Sequence, residues 1–259
     1  MVFEQNLFLS SAPVRLLNSF NKPENFTVRL TSPIKLKADK AYKVCLLNFY
    51  GVYSWHNIQS QSLNNIVRYS PDNGITWKII TIPDGVYSYS DINTYIHDVM
   101  KTNGDYTTVL GQDLFDINIS FNTSSFLVYI ELTNNYQFDL YTQQFGDLLG
   151  FDVAILTATT NTSSRLPNIT NSIDTLYIHC SLVNDSIVNG KSSDVIYSFS
   201  TATLKRSYSF SFEPFNLVYS PISGNLITTI TLTITDVNGT IIDLNGVDVS
   251  YTLQIKEMI

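Results

Sequence analysis

The residues able to do chemistry are few and scattered. There are three histidines, His56, His97 and His179, and two cysteines, Cys45 and Cys180. His179 precedes Cys180 directly, and a base beside a thiol is what nucleophilic catalysis needs. Both fall in a run that alternates with Tyr177 and reads as a strand, where neighbouring side chains point to opposite faces, so they cannot pair. His97 falls on the polar flank of a helical stretch, four residues before Lys101 and beside Asp98. No His/Cys cluster has zinc spacing. Each cysteine sits inside an apolar run, and two cysteines make no disulfide framework, so buried free thiols are expected. Asp72-Asn73-Gly74 and Asp236 to Gly239 resemble the start of a calcium loop, but neither continues into its full spacing, and both read as hairpin turns. Neither a phosphate-cradling GxxxxGK[ST] loop nor a GxGxxG turn occurs. Scattered carboxylates make a hydrolase only when a fold sets two of them across a cleft. The reading is a non-enzyme, with no catalytic, cofactor-binding or metal-binding residue.

Charge narrows the partners. Charged residues are 14% of the 259, well below the ~25% of ordinary soluble domains. The net charge is −7, the wrong sign for a general nucleic-acid binder. Residues 1–45 hold seven Lys or Arg against three Asp or Glu, whereas residues 53–171 hold four against eleven. Arg15, Lys22, Lys35, Lys37, Lys40 and Lys43 form no dense run, so they read as a solvated face with no specific nucleic-acid binding. Polarity comes instead from 24 Asn, 28 Ser and 26 Thr, residues that suit turns and strands. Such a surface suits packing against other copies better than separation by charge. No stretch reaches the ~18 apolar residues of a membrane span. The opening MVFEQNLF lacks the basic start of a signal peptide. Seven Asn-X-Ser/Thr sequons carry little weight in so Asn- and Thr-rich a chain.

Strand-period alternation dominates the elements. Phe26, Val28 and Leu30 alternate with polar residues, as do Ile230, Leu232 and Ile234, and Tyr251, Leu253 and Ile255. Residues 115–132 read as a hairpin turning at Asn122–Ser125. The spacing of Ile92, Tyr95, Ile96, Val99 and Met100 predicts an amphipathic helix, with Ser90 as its N-cap and Gly104 past its end. A shorter helix is expected at 141–149, and 156–172 reads as a long polar loop.

Three strands precede residue 53, at about 5–10, 25–32 and 41–51. Five follow residue 172, at about 174–182, 194–200, 206–212, 225–235 and 248–256. The fold class is therefore all-β with minor α: an eight-stranded jelly-roll β-sandwich. An α+β domain, with strands near 65–70, 76–82, 115–121 and 125–132, is inserted between its third and fourth strands. The expected domains are 1–52 with 173–259, and the insertion 53–172. Two consecutive β domains split near 155–170 would compete, but nearly all the helix would then fall in the first.

Several motifs in fixed order carry a resemblance. They are Ile82–Tyr87 (IPDGVY), the helix Ile92–Met100, Phe145–Phe151 (FGDLLGF), Ile178–Val183 (IHCSLV), Asn189-Gly190, Val195–Phe199 (VIYSF), Glu213–Tyr219 (EPFNLVY), Ile230–Asp236 and Asp243–Leu253. Together they resemble the penton-type, single jelly-roll minor capsid proteins of virophages and of Polinton/Maverick and adintovirus-like elements. The resemblance covers most of 65–256, while residues 1–60 match no motif of that family. It implies a structural capsid protein in the virion, assembled inside the host cell, five copies ringing each vertex of an icosahedral double-stranded DNA virus. It further implies a homopentamer, contact with the major capsid protein, an outward-facing insertion open to a host receptor, and no cofactor. The apolar arm from Met1 to about Ser19 is expected to reach along a neighbour or the major capsid protein. Two other readings compete. One is a trimeric receptor-binding head. The other is an extracellular carbohydrate-binding β-sandwich, in which exposed Trp55 or Trp77 would stack on sugar rings. The aromatic set Tyr42, Tyr50, Tyr53, Trp55, Tyr208, Phe210 and Phe212 serves either a core or an interface.

Overall fold

The computed structural model describes residues 3–152, 154–157, 159–170, 173–205 and 208–258. The protein is mostly β, and it divides into two compact units, Met1–Trp55 with Ile173–Ile259, and His56–Ser172. The first unit opens with β1 (Glu4–Ser10), α1 (Ser11–Leu17), β2 (Asn25–Lys35) and β3 (Tyr42–Val52). The second holds β4 (Ile66–Ser70), β5 (Lys78–Thr81), α2 (Tyr89–Thr102), β6 (Thr107–Val109), β7 (Gln112–Leu114), β8 (Ile117–Asn122), β9 (Leu127–Leu132), β10 (Gln137–Asp139), α3 (Gln143–Leu149), β11 (Ile155–Leu156) and β12 (Thr159–Thr162). The first resumes with β13 (Thr175–Cys180), β14 (Ser186–Val188), β15 (Lys191–Ser193), β16 (Val195–Ser200), β17 (Ser209–Phe212), β18 (Ser220–Pro221), β19 (Leu226–Thr235) and β20 (Ser250–Glu257).

In the first unit two antiparallel sheets share one apolar core. One runs β1-β20-β3-β17, with β18 also on β3; the other runs β16-β13-β19-β2. Alternation decides which residues enter. Leu176, Ile178 and Cys180 of β13, Ile230, Leu232 and Ile234 of β19, and Tyr251, Leu253 and Ile255 of β20 are buried, while their neighbours face out. β3 breaks this rhythm because its register against β20 shifts between Thr252 and Leu253, so Asn48 and Leu46 take consecutive partners. The extra residue, Leu47, is a bulge that switches the phase of the strand. That is why the long apolar run to Tyr50 is not a strict alternation. The expected N-terminal arm is corrected here. Residues 4–10 pair with β20 along their whole length, and Ser11–Leu17 turns into a helix tied back by Arg15 to Asp248 at 2.9 Å. Part of the expected 206–212 strand is β17; Arg206 and Ser207 lie outside the described residues.

The second unit has its own core, built on a sheet ordered β11-β10-β4-β5, a sheet ordered β12-β9-β8, and α2 packed on β8. Ile92, Ile96 and Met100 are the buried stripe of α2. Its N-cap is Ser88, two residues earlier than Ser90, because only Ser88 places an acid at N3: Ser88 and Asp91 form a reciprocal capping box. At the other end, the hydroxyl of buried Tyr69 donates to Asp105 at 2.5 Å and accepts from Asn103, while Lys78 pairs with the same carboxylate. This cluster ties the end of α2 to β4 and β5. The shorter helix starts at Gln143 behind an N-cap Thr142. The expected polar loop at 156–172 is corrected in its first part: Thr159–Thr162 forms β12 on β9, and Leu156 pairs with Phe138. Ala158, Asn171 and Ser172 lie outside the described residues.

Gly150 ends α3 at φ +80°, and an added Cβ would meet the Arg165 carbonyl oxygen at 2.2 Å. Gly104 has φ +74° with open space around it. Gly104→Ala should therefore cost only the left-handed strain, ~1 kcal/mol. Gly150→Ala should cost ~3 kcal/mol or more, because backbone must also move. Urea denaturation of the two variants checks this; equal costs would contradict it.

Candidate functional site

The histidines and cysteines are placed for structure. His179 stands on the outer face of β13, where it bridges to both flanking segments. Its Nδ1 lies 2.6 Å from Asp194 Oδ1, and its Nε2 lies 2.8 Å from Thr235 Oγ1. Hydroxyl, imidazole and carboxylate thus line up as in a nucleophilic triad. Sequence reasoning missed this row because the members come from three separate segments, and only the sheet register brings Thr235 and Asp194 to β13. His179 and Thr235 of this row line an open cleft of about 360 Å³. Acyl transfer also needs an accessible nucleophile and free N–H donors for an oxyanion. Thr235 is only 5% exposed. The N–H groups of Asp236, Asn238, Gly239 and Thr240 are all committed to the turn after β19. The row therefore stitches β13 to the end of β19 and the start of β16.

Cys180 points the other way, into the core, and burial pushes its thiol up to about 12. Burial likewise raises the Cys45 thiol. In the second unit His97 is half-buried rather than on an open polar flank. It stacks on Phe115 at 4.0 Å between centroids, and its Nε2 lies 2.7 Å from the Ile117 carbonyl. Desolvation pushes its pKa below the ordinary 6.5. At His56 it is the backbone carbonyl that is engaged, accepting from Gln59. Both calcium-like fragments are turns. The Asp72 carboxylate accepts from the backbone and hydroxyl of Thr76 and from Ser70, which holds its pKa at about 2. Asp236 accepts from the Asn238 and Thr240 amides.

The proposed sugar platforms are corrected. Trp55 is 2% exposed and packs on Tyr53 at 4.0 Å. Trp77 is half-buried and already covered by the Arg68 guanidinium, 4.7 Å from its ring. Arg68 also lies over Tyr141 and pairs with Asp139 at 2.6 Å.

Electrostatics separate the units. All four Lys and Arg residues of the second unit are paired with carboxylates: Arg68 with Asp139, Lys78 with Asp105, Lys101 with Asp113, and Arg165 with Asp147 and Asp152. What remains on this unit is acidic. In the first unit Arg15 and Lys40 are held by Asp248 and Glu257, so two of the six sequence-picked cations are neutralised within the fold.

The outer surfaces of the sandwich carry the most distinctive chemistry. One outer face presents Thr27, Thr231, Thr233 and Asn25, hydrogen-bonded to each other across β2 and β19. The other presents Asn48, Ser211, Gln254 and Asn6 in similar contacts. The first unit also exposes large apolar side chains. Leu16, Leu17 and Phe20 are 90%, 86% and 92% exposed after β1, and Phe215 is 98% exposed between β17 and β18. Apolar exposure of this kind marks contact surfaces.

No protein-family model matches the sequence, and no curated protein matches it. A solved structure does match in fold: the mavirus penton protein, at 16% identity and a TM-score of 0.52, with 100% of each chain covered. At that identity the likeness is one of fold, and it includes residues 1–60, where no sequence motif was recognisable. It supports a virophage penton-like fold.

Two measurements follow from the titrating groups. A thiol reagent should leave Cys45 and Cys180 unmodified in the native protein and label both after denaturation; labelling of either native thiol would contradict their burial. The second concerns pH. A histidine with a lowered folded pKa contributes stability that is complete above 6.5 and is lost as pH drops from there through the folded value; Asp72 contributes stability present above 3.8 that falls toward pH 2. The second unit should therefore weaken in two acid steps, followed by Trp77 fluorescence in a Trp55→Phe background. His97→Gln should remove the first step only.

Proposed function

We propose that the protein is a non-enzymatic capsid subunit of a double-stranded DNA virus, a penton-like minor capsid protein without a cofactor. The observation that carries this is the fold likeness, over the whole of both chains, to a penton protein. The strand order supports the finer reading of an eight-stranded jelly roll. Counting β1, β2, β3, β13, β16, β17, β19 and β20 as the eight, the first pairs with the eighth, the second with the seventh, the third with the sixth and the fourth with the fifth, all antiparallel. That is one long hairpin rolled up on itself. The second unit then corresponds to the α+β insertion between the third and fourth strands, with the sandwich at 1–52 and 173–259.

In this reading five copies close a ring at an icosahedral vertex of the virion and meet the major capsid protein around it. A closed ring of identical subunits uses head-to-tail contacts, in which one surface meets a different surface of the next copy. The sparse charge and the Ser/Thr/Asn-rich outer faces favour such packing, because little charge must be desolvated at the contact. The acidic second unit supplies the solvated part.

Light scattering of the purified chain over a range of concentration and salt tests the reading. A mass of five subunits, with five-fold rings in negative stain, is the expected result. A stable mass of three subunits, or of one up to millimolar concentration, overturns it.

A further inference from the structure

We infer that the ring contact is made by two apolar patches at opposite edges of one sheet, Leu16, Leu17 and Phe20 of one copy seating against Phe215, Leu217 and Val218 of the next. The inference rests on the capsid-ring reading for its partner, a second copy of this chain.

The topology supplies the geometry. In the sheet ordered β1-β20-β3-β17, β1 is one edge, and α1 with its exposed Leu16 and Leu17 follows it directly. Phe20 is the third residue past α1, its amide held by the Asn18 side chain. At the opposite edge β17 pairs with residues 49–52 of β3 and β18 with residues 43–44, so the segment 213–219 spans the free flank of β3 between them. That segment exposes Phe215, Leu217 and Val218. The two edges are three strand spacings apart, about 14 Å. None of the six side chains packs into the core of the first unit.

Charge selects the partner. Exposed Lys22 flanks the first patch, and exposed Glu213 flanks the second. Neither makes an ion pair with a described residue. Arg15, the other cation near the first patch, is already held by Asp248. The first patch against itself would face Lys22 with Lys22, and the second would face Glu213 with Glu213. Only first against second is both apolar and charge-matched. The contact is thus heterologous, the type that propagates into a ring rather than stopping at a dimer.

The test is cross-linking, which traps the contact between copies covalently. Leu17→Cys and Phe215→Cys alter highly exposed side chains, so folding should be unaffected. The native cysteines are buried and give a silent background. Under mild oxidation the double variant should give a ladder of disulfide-linked multimers. Each single variant alone should give none, and a 1:1 mixture of the two should stop at the dimer. Single-variant dimers, or no ladder from the double variant, overturn the inference. A charge swap supplies a second readout: Lys22→Glu or Glu213→Lys alone should weaken the ladder several-fold, and the combination should restore it. The ring size is read separately, by the mass of the unmodified chain. A ladder with a mass of three subunits would keep the contact and reject the five-fold vertex; a mass of five without a ladder would do the reverse.

Discussion

The interaction on which the rest depends is pairing between strands from opposite ends of the chain. β1 meets β20 over seven consecutive residues, and β2 meets β19 over a similar span. These pairings close the sandwich, and they can form only once the last residues are present. The first unit therefore consists largely of non-local contacts, which fold slowly because loop closure precedes any gain from burial. The second unit is contiguous in sequence and encloses its own core, so its helices and hairpins can form while the sandwich waits. The bulges follow from the same demand. Shifts at Leu47 of β3, between Ile178 and His179 of β13, and between Ile227 and Thr229 of β19 let long strands keep their apolar residues inward while the sheets twist.

Polar chemistry in this protein is spent on holding strands and turns. His179 is the clearest case. The same atoms that would make a triad sit where the register of β13 against β16 slips, and they restore there the connections that the bulge disrupts. Asp72 and Asp236 do likewise for turns, each gathering backbone amides that a tight loop leaves without strand partners. The cations of the second unit are consumed in pairs, which leaves an acidic excess on its surface.

How far the sequence was legible depends on whether a signal is local. Alternation in β13, β19 and β20 declares which face is buried, because a single slip would expose every apolar residue. The amphipathic stripe of α2 was equally plain, but its start was not, since two serines compete as caps and only the position of Asp91 relative to Ser88 decides. β10, β11 and β12 escaped notice because strands of two to four residues are too short for a period. Trp55 looked available because exposure belongs to tertiary packing, and its burial against Tyr53 has no sequence signature. The His179 row was invisible for the same reason as the sandwich order itself: both depend on register between segments far apart in the chain. The patch at Leu16, Leu17 and Phe20 could be seen as apolar, but an apolar arm and a short helix with exposed leucines look alike in one dimension.

The edges of the sheets bear on how copies join. An unpaired strand edge invites another strand, and a protein that assembles must direct that tendency. β2, the edge of the second sheet, carries exposed Arg29 and Lys35, and between Arg29 and Ile34 it bulges, four residues that include Pro33 standing against the single Thr228 of β19. A proline cannot donate to an added ladder, and charged side chains make stacking on that edge unfavourable. At the far edge of the first sheet, β17 and β18 are short and separated by the segment 213–219, so no continuous run of free backbone groups is offered there. Backbone-driven addition would produce open, unregulated association. Side-chain patches flanked by single opposite charges produce contacts of one geometry, and one geometry repeated by rotation is what closes a ring. In the proposed ring, head-to-tail packing of the apolar patches takes the place of strand addition at the edges formed by β2 and by β17 with β18.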